Sequence, residues 1–110
     1  MSNVNIEVSE DNTEEAVSLM KEAVVRGLEA VGLLGEGYAK MLCPVDTGRL
    51  RNSITHTSDG EAAYIGTNVE YAAYVEYGTS KTSAQPFLEP AATQHSDEYK
   101  AIFERFCRNA

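Results

Sequence analysis

Two cysteines, Cys43 and Cys107, and two histidines, His56 and His95, are the only side chains of the sequence from which a thiolate nucleophile and its imidazole base could be assembled. A reactive thiolate needs an electropositive setting and a base within hydrogen-bond reach, and no local signature around Cys43 brings either histidine to it. Both cysteines therefore read as small hydrophobes. They form no CxxC pair and have no histidine at ligand spacing, so neither a structural zinc site nor a disulfide framework is expected. His56 falls in a strand-like run and His95 in a helical one, each as an exposed or edge position. The carboxylate pairs Glu14/Glu15 and Asp97/Glu98 are adjacent, so on a helix they diverge by about 100° and cannot converge on one substrate atom. Gly32, Gly35 and Gly37 lie inside a helical pattern with no Gly-Lys-Ser/Thr after them, which argues against a phosphate cradle. No catalytic residue, no cofactor and no metal ligand follows from these side chains.

Small polar and aromatic groups are concentrated instead in two places, an elbow at 44–53 and a run at 69–88 in which Tyr71, Tyr74, Tyr77 and Phe87 are separated by a loop with almost no bulky residue. Tyrosine joins a large apolar body to a hydroxyl that tolerates water, which suits it to protein interfaces. Tyr64, Tyr71 and Tyr74 read as a roof over a hairpin, whereas Tyr77 and the 79–86 loop read as an interface.

The elements that must carry these groups are bounded by length and charge. A chain of 110 residues, 43% apolar, holds one small core. Its 9 basic side chains against 17 acidic ones would repel phosphates, so it is not expected to bind DNA or RNA. No window is long and apolar enough for a membrane span, and residues 1–15 carry five acids without a Lys or Arg, unlike a cleaved signal peptide. A reduced, cytosolic setting fits the two cysteines.

Residues 1–12 read as a flexible acidic arm, with Val4, Ile6 and Val8 alternating as a short edge strand would; residues 13–110 read as a single α+β domain. Asn12 and Glu15 resemble a capping box opening an amphipathic helix, with Val17, Met20, Val24, Leu28, Val31, Leu34, Tyr38 and Met41 in one stripe and Pro44 as its stop. Some 30 helical residues would span roughly 45 Å, longer than a domain with a radius of gyration of about 13 Å. The helix must therefore break at its glycines or have its overhang covered by another subunit. Beyond Pro44, Asp46 or Thr47 can cap a single turn. Residues 53–57 and 62–67 form a small antiparallel sheet built on a hairpin turning at Ser58-Asp59-Gly60, and a short helix follows at 71–77 with Gly78 as its C-terminal cap. The C-terminal helix is expected over 87–107, burying Phe87, Leu88, Ala91, Ala92, Ile102, Phe103 and Phe106, with an interruption near Ser96-Asp97.

Three blocks carry a family resemblance: Pro44-Val45-Asp46-Thr47-Gly48-Arg49-Leu50-Arg51-Asn52-Ser53-Ile54, the run Val69–Thr79, and Gln85-Pro86-Phe87-Leu88-Glu89-Pro90-Ala91. In order and at these gaps, over residues 13–108, the chain resembles the head–tail joining or neck proteins of long-tailed bacteriophages, also described as tail-completion or minor tail proteins. It departs from the usual pattern at Ala73, where proline is frequent, and at Tyr77, where phenylalanine is frequent. The resemblance implies a non-enzymatic α+β virion component that forms a ring, a hexamer or larger, at the neck or head-proximal end of the tail. Its implied partners are copies of itself, the connector or a head-completion protein, and the tail tube or a tail-terminator protein. It further implies a place in the virion, reached from the host cytoplasm during assembly, with no membrane and no specific nucleic-acid contact; DNA would slide past an acidic lumen wall. The interface candidates are Asp46, Thr47, Arg49, Arg51, Glu70, Glu76, Tyr77, Gly78, Thr79 and Phe87, with Arg49 or Arg51 expected to pair with Glu70 or Glu76. The alternative is a small cytosolic adaptor or regulator that binds one partner along the stripe from Val17 to Met41.

Overall fold

A computed structural model describes residues 10–45 and 48–108, with side chains from residue 13 onward. The alternation at Val4–Val8 and the elbow residues Asp46 and Thr47 lie outside the described residues. Helix α1 (Glu10–Leu42) runs unbroken for 33 residues, about 50 Å at 1.5 Å per residue. It starts before Asn12, so Asn12 stands in its first turn instead of capping it, and residues 10–12 belong to the helix and not to an arm. A positive helix start accommodates the acidic run that opens there.

Two of the three glycines expected to break α1, Gly32 and Gly35, are instead points where other elements come close to it, as is Gly27, while Gly37 has nothing within 4 Å. A Cβ on Gly27 would stand 2.8 Å from the Phe103 ring, one on Gly32 2.9 Å from the His56 ring, and one on Gly35 3.2 Å from Ile65. Ala23 and Ala39 are buried in the same way, so the covered side of α1 is a track of small residues against which neighbours seat deeply. The bulky stripe is covered only in part. Leu28 is buried and Val24, Val31, Leu34 and Tyr38 are half-buried, while Val17, Met20 and Met41 remain 43%, 64% and 79% exposed.

After the elbow, α2 (Arg49–Ser53) opens at Gly48, whose left-handed φ of 86° occupies the N-cap position with no side-chain cap bond. That is a backbone turn which glycine adopts without strain. Strands β1 (Thr55–Ser58) and β2 (Ala63–Gly66) pair antiparallel with His56 opposite Ile65. Each is shorter than expected because Ser53 is spent in α2 and the turn extends to Ala62. Asp59 organises that turn, its Oδ1 accepting from the backbone N–H of Glu61 and of Ala62, each at 2.9 Å.

Helix α3 (Ala72–Tyr77) ends at Gly78, as expected. The C-terminal helix is two: α4 (Leu88–Thr93) and α5 (Ser96–Arg108), parted at Gln94 and His95, just ahead of the expected interruption. His95 stacks on Tyr38 with ring centroids 3.6 Å apart, and the Tyr99 hydroxyl donates to the Ala91 carbonyl, fixing the bend. Asp97 and Glu98 in the first turn and Arg105 and Arg108 in the last suit the α5 dipole.

Ala39, Cys43, Leu50, Ile54, Val69, Ala72, Phe87 and Ala91 form the core, at the C-terminal half of α1. Helix α5 lies along the middle of α1, and no residue of α5 is fully buried. From residue 13 to residue 22 every side of α1 is exposed. The resulting subunit measures 70 × 26 × 21 Å with a radius of gyration of 19.5 Å, well beyond the roughly 13 Å of a compact chain this long.

Candidate functional site: the elbow and the face of helix α3

The two segments singled out by composition meet. Arg49, at the start of α2, sends Nη1 to Glu70 Oε1 at 3.1 Å and Nη2 to Glu70 Oε2 at 3.0 Å, a bidentate fork just ahead of α3. Its guanidinium also lies 5.4 Å from the centre of the Tyr71 ring. The Glu70 carboxyl is held below the usual carboxylate range by its own backbone N–H and by Arg49. The expected pairing thus forms with Arg49 and Glu70.

Glu76 has a different task. It is turned into the subunit, 6% exposed, and its carboxylate accepts the backbone N–H groups of Phe87 at 3.1 Å, Leu88 at 2.8 Å and Glu89 at 3.1 Å. Those are the groups that the start of α4 leaves without intrahelical partners, so Glu76 bolts α4 onto α3 instead of meeting an arginine. Phe87, the other candidate placed inside, is fully buried in the core.

Gly78 takes φ 80°, and a Cβ there would lie 2.7 Å from the Ala84 nitrogen, so the chain folds back tightly on itself. Thr79 closes the loop. Its N–H donates to the Thr82 carbonyl at 2.8 Å, and its Oγ1 accepts from the N–H of Lys81 and of Thr82 at 3.2 and 3.0 Å. The Gln85 N–H returns to the Val75 carbonyl at 2.8 Å. The loop has no side chain in the core, as expected, but it is pinned through its backbone while residues 79–86 stay exposed.

These contacts leave α3 as a ridge between two grooves. On the elbow flank, Pro44, Val45, Arg49, Tyr71 and Val75 line a hollow of about 530 Å³, which continues past Tyr74, Thr79 and Thr82 into a further 280 Å³. On the other flank, Val31, Ile65, Ala72, Tyr77, Leu88 and Ala92 contribute to a groove of about 680 Å³ that also carries Glu70, Glu76 and Glu89. Around the elbow, Met41, Leu42, Val45, Tyr74 and Tyr77 are exposed large apolar side chains. Tyr71 packs on the core, whereas Tyr64 and Tyr74 do not roof the hairpin but face outward, the Tyr64 hydroxyl donating to Asp59 at 2.9 Å. An arrangement of this kind has shape and apolar area for a protein partner.

The nucleophile reading finds no geometry. Cys43 is buried, its thiol donates to the Pro44 carbonyl at 3.4 Å, and burial pushes its pKa up, away from a thiolate. Among the described residues no group of three His, Cys, Asp or Glu side chains is placed to hold a metal ion, and no helix is long and apolar enough to cross a membrane. His56 is neither free nor exposed: Nε2 meets Glu29 Oε1 at 2.8 Å and Nδ1 meets Glu36 Oε1 at 3.1 Å, over the bare face of Gly32. Both partners are carboxylates, an arrangement that favours the ring with both nitrogens protonated. Its pKa is raised, first by Glu36 and then by Glu29. The signal available in the sequence was Glu29 and Glu36, seven residues apart on one helix face with Gly32 between them.

No curated protein and no solved structure matches the chain. A protein family does: residues 7–78, which hold α1, the elbow, the hairpin and α3, match the family described as "Bacteriophage HK97-gp10, putative tail-component". With about two thirds of its length matched, and with the Arg49–Glu70 fork and the α3 ridge inside that span, the chain belongs to the HK97-gp10-like family of bacteriophage tail components.

Proposed function

We propose that the chain is a non-enzymatic structural subunit of a long-tailed phage or prophage that assembles as a ring, a hexamer or larger, at the neck or the head-proximal end of the tail. The observation that carries this reading is the uncovered first part of α1. Nine successive residues, 14–22, are all exposed, Val17, Leu19 and Met20 among them. A short helical segment exposed on every side is marginal in water, and so much apolar surface marks a contact face. Closed rings supply such contacts between identical subunits. The partners along the particle axis would be the connector or a head-completion protein on one side and the tail tube or a terminator protein on the other. A net charge of −8 suits a lumen through which DNA must slide without adhering.

The test is the protein's place in purified particles. Immunogold labelling is expected at the junction of head and tail, and light scattering of the isolated protein at high concentration is expected to give a ring-sized species. Absence from purified particles overturns the reading, and a steady dimer found only outside them returns the chain to the adaptor alternative.

A further inference from the structure

We propose that residues 4–8 of one copy enter the larger groove of the next copy as an extended strand and pair with the open edge of β2, so that the two-stranded sheet becomes a three-stranded sheet shared between subunits. The inference rests on the ring reading and names the contact that closes the ring.

The hydrogen-bond phase of the hairpin fixes which backbone groups are open. The Asp59 N–H donates to the Ala62 carbonyl at 3.2 Å, which makes 59 and 62 a hydrogen-bonded pair. Such pairs alternate along an antiparallel ladder, so Thr57 with Tyr64 and Thr55 with Gly66 carry the bonds between β1 and β2. Ala63 and Ile65 then turn their N–H and C=O groups away from β1, and no third strand among the described residues meets them. His56 and Ser58 do the same on the outer edge of β1.

Of these two edges, only that of β2 opens on a groove. The hollow of about 680 Å³ is lined by Ala63, Tyr64 and Ile65 in succession, as happens where a strand presents its edge instead of one face. The hollows at the elbow are lined by no strand residue. The acids of the larger groove are mostly spent, Glu70 on Arg49 and Glu76 on three backbone N–H groups, which leaves the exposed Glu89. A groove walled by a free strand edge takes an extended segment, whose backbone continues the ladder while alternate apolar side chains pack on lining residues such as Val31, Leu88 and Ala92.

The sequence holds one such segment that the hairpin does not use. Val4, Ile6 and Val8 share one face of an extended chain, and Asn5 and Glu7 share the other, which would stay in water. Its reach selects the groove of another copy. Val4, six residues before Glu10, lies at most about 21 Å from it at full extension. Val31, the first α1 residue of the groove, lies about 32 Å beyond Glu10 along the helix. A subunit cannot fill its own groove, and the exposed run 14–22 carries the segment clear of its own body. Giving segment and receiving groove are different surfaces of one elongated subunit, so the contact is head-to-tail and repeats around a ring.

Two measurements on the full-length protein test this. Either the odd or the even residues of the segment turn their N–H groups toward β2, so N5P/I6P removes a ladder donor in both cases. Sedimentation velocity is expected to show self-association of N5P/I6P weakened at least ten-fold. Its melting temperature, taken at a dilution where both proteins are monomeric, is expected to match the parent, because the segment belongs to no core of its own subunit. Hydrogen exchange of the parent, resolved to single amides, is expected to slow at least ten-fold at Ala63 and Ile65 on assembly and to stay unchanged at His56 and Ser58. Unaltered association of N5P/I6P, as a groove filled by a different protein's strand would give, overturns the pairing. So do a melting temperature that falls with the substitution, protection at His56 and Ser58 without Ala63 and Ile65, or a parent chain monomeric at several hundred micromolar. These failures are distinct from failure of the ring reading, which falls only if the protein is missing from particles.

Discussion

Removing the Glu76 carboxylate should be among the most damaging single changes the chain can suffer without touching an apolar core residue. Three backbone N–H groups, those of Phe87, Leu88 and Glu89, end on its two oxygens at 2.8 to 3.1 Å. In Glu76→Ala the Phe87 N–H is left in the dry core, at a cost of about 1–3 kcal/mol, and the other two, nearer to solvent, lose charge-assisted bonds worth about 1 kcal/mol each after water replaces the acceptor. The total is roughly 3–5 kcal/mol, a large part of the ~5–15 kcal/mol that holds a domain of this size. Glu76→Gln is the sharper probe. Its one remaining carbonyl can take the place of Oε1, which accepts from Phe87 and Leu88, but its amide turns a donor toward the Glu89 N–H, so about 2 kcal/mol should be lost. The assay is thermal and urea unfolding followed by circular dichroism, where about 4 °C in melting temperature corresponds to 1 kcal/mol. Stability should fall in the order parent, Gln variant, Ala variant. An Ala variant within 0.5 kcal/mol of the parent, or a Gln variant as unstable as the Ala variant, would show that the three bonds do not act as the bolt between α3 and α4.

The remaining expectations concern the His56 clamp, the glycine track and the surface charge. Because His56 titrates above its unfolded value, its stabilising contribution is complete below about pH 6.5 and is lost as pH rises through its folded pKa; the parent should weaken on the alkaline side in a way that His56→Asn does not. Glu36, lowered first by its bond to His56, acts in the opposite sense, contributing above about pH 4.5 and losing that contribution as pH falls through its folded pKa; the decline of stability in acid should be shallower in Glu36→Gln. Gly32→Ala should cost about 1–3 kcal/mol, because its Cβ would press at 2.9 Å on a ring that two carboxylates hold in place, whereas Gly37→Ala, with nothing within 4 Å, should gain about 0.5–1 kcal/mol; both are read by urea midpoints. Purified protein should give no gel shift with duplex DNA at micromolar concentration and physiological salt.

Periodicity and punctuation revealed the elements that depend on neighbours in sequence: the long first helix with its stop at Pro44, the hairpin around Asp59-Gly60, and α3 closed by Gly78. They could not tell what a glycine in a helix is for. Gly27, Gly32 and Gly35 have the same composition whether they weaken a helix or admit a close neighbour, and only the positions of Phe103, His56 and Ile65 decide between the two. How much of the bulky stripe is covered was hidden for a related reason. Helical spacing shows which residues share a face but not how far along the helix another element extends to cover it, so it could not tell that Val17 and Met20 stay exposed while Leu28 is buried. At the candidate site, the Arg49–Glu70 fork followed from charge count, Arg49 and Arg51 being the only bases between Lys40 and Lys81. Glu76 was beyond reach because its partners are backbone groups, which leave no mark in side-chain chemistry.

On the reading of α3 as a contact ridge, its two roles explain why its polar groups divide as they do. A surface that must receive a partner reproducibly cannot itself be free to rearrange, since ordering it at the moment of contact would consume part of the binding free energy. Here the ordering is accomplished in advance by contacts within the chain. Glu76 fastens α3 to α4 from beneath, Arg49 and Glu70 tie it to the elbow at its start, and Thr79 with Gln85 closes the loop at its end. With its underside and both ends fixed, α3 can leave Tyr74 and Tyr77 exposed at little risk to the fold. A change at either tyrosine should therefore leave unfolding almost unmoved while weakening assembly, and a change at Glu76 should do both; the pair of readouts separates a contact residue from the frame that holds it.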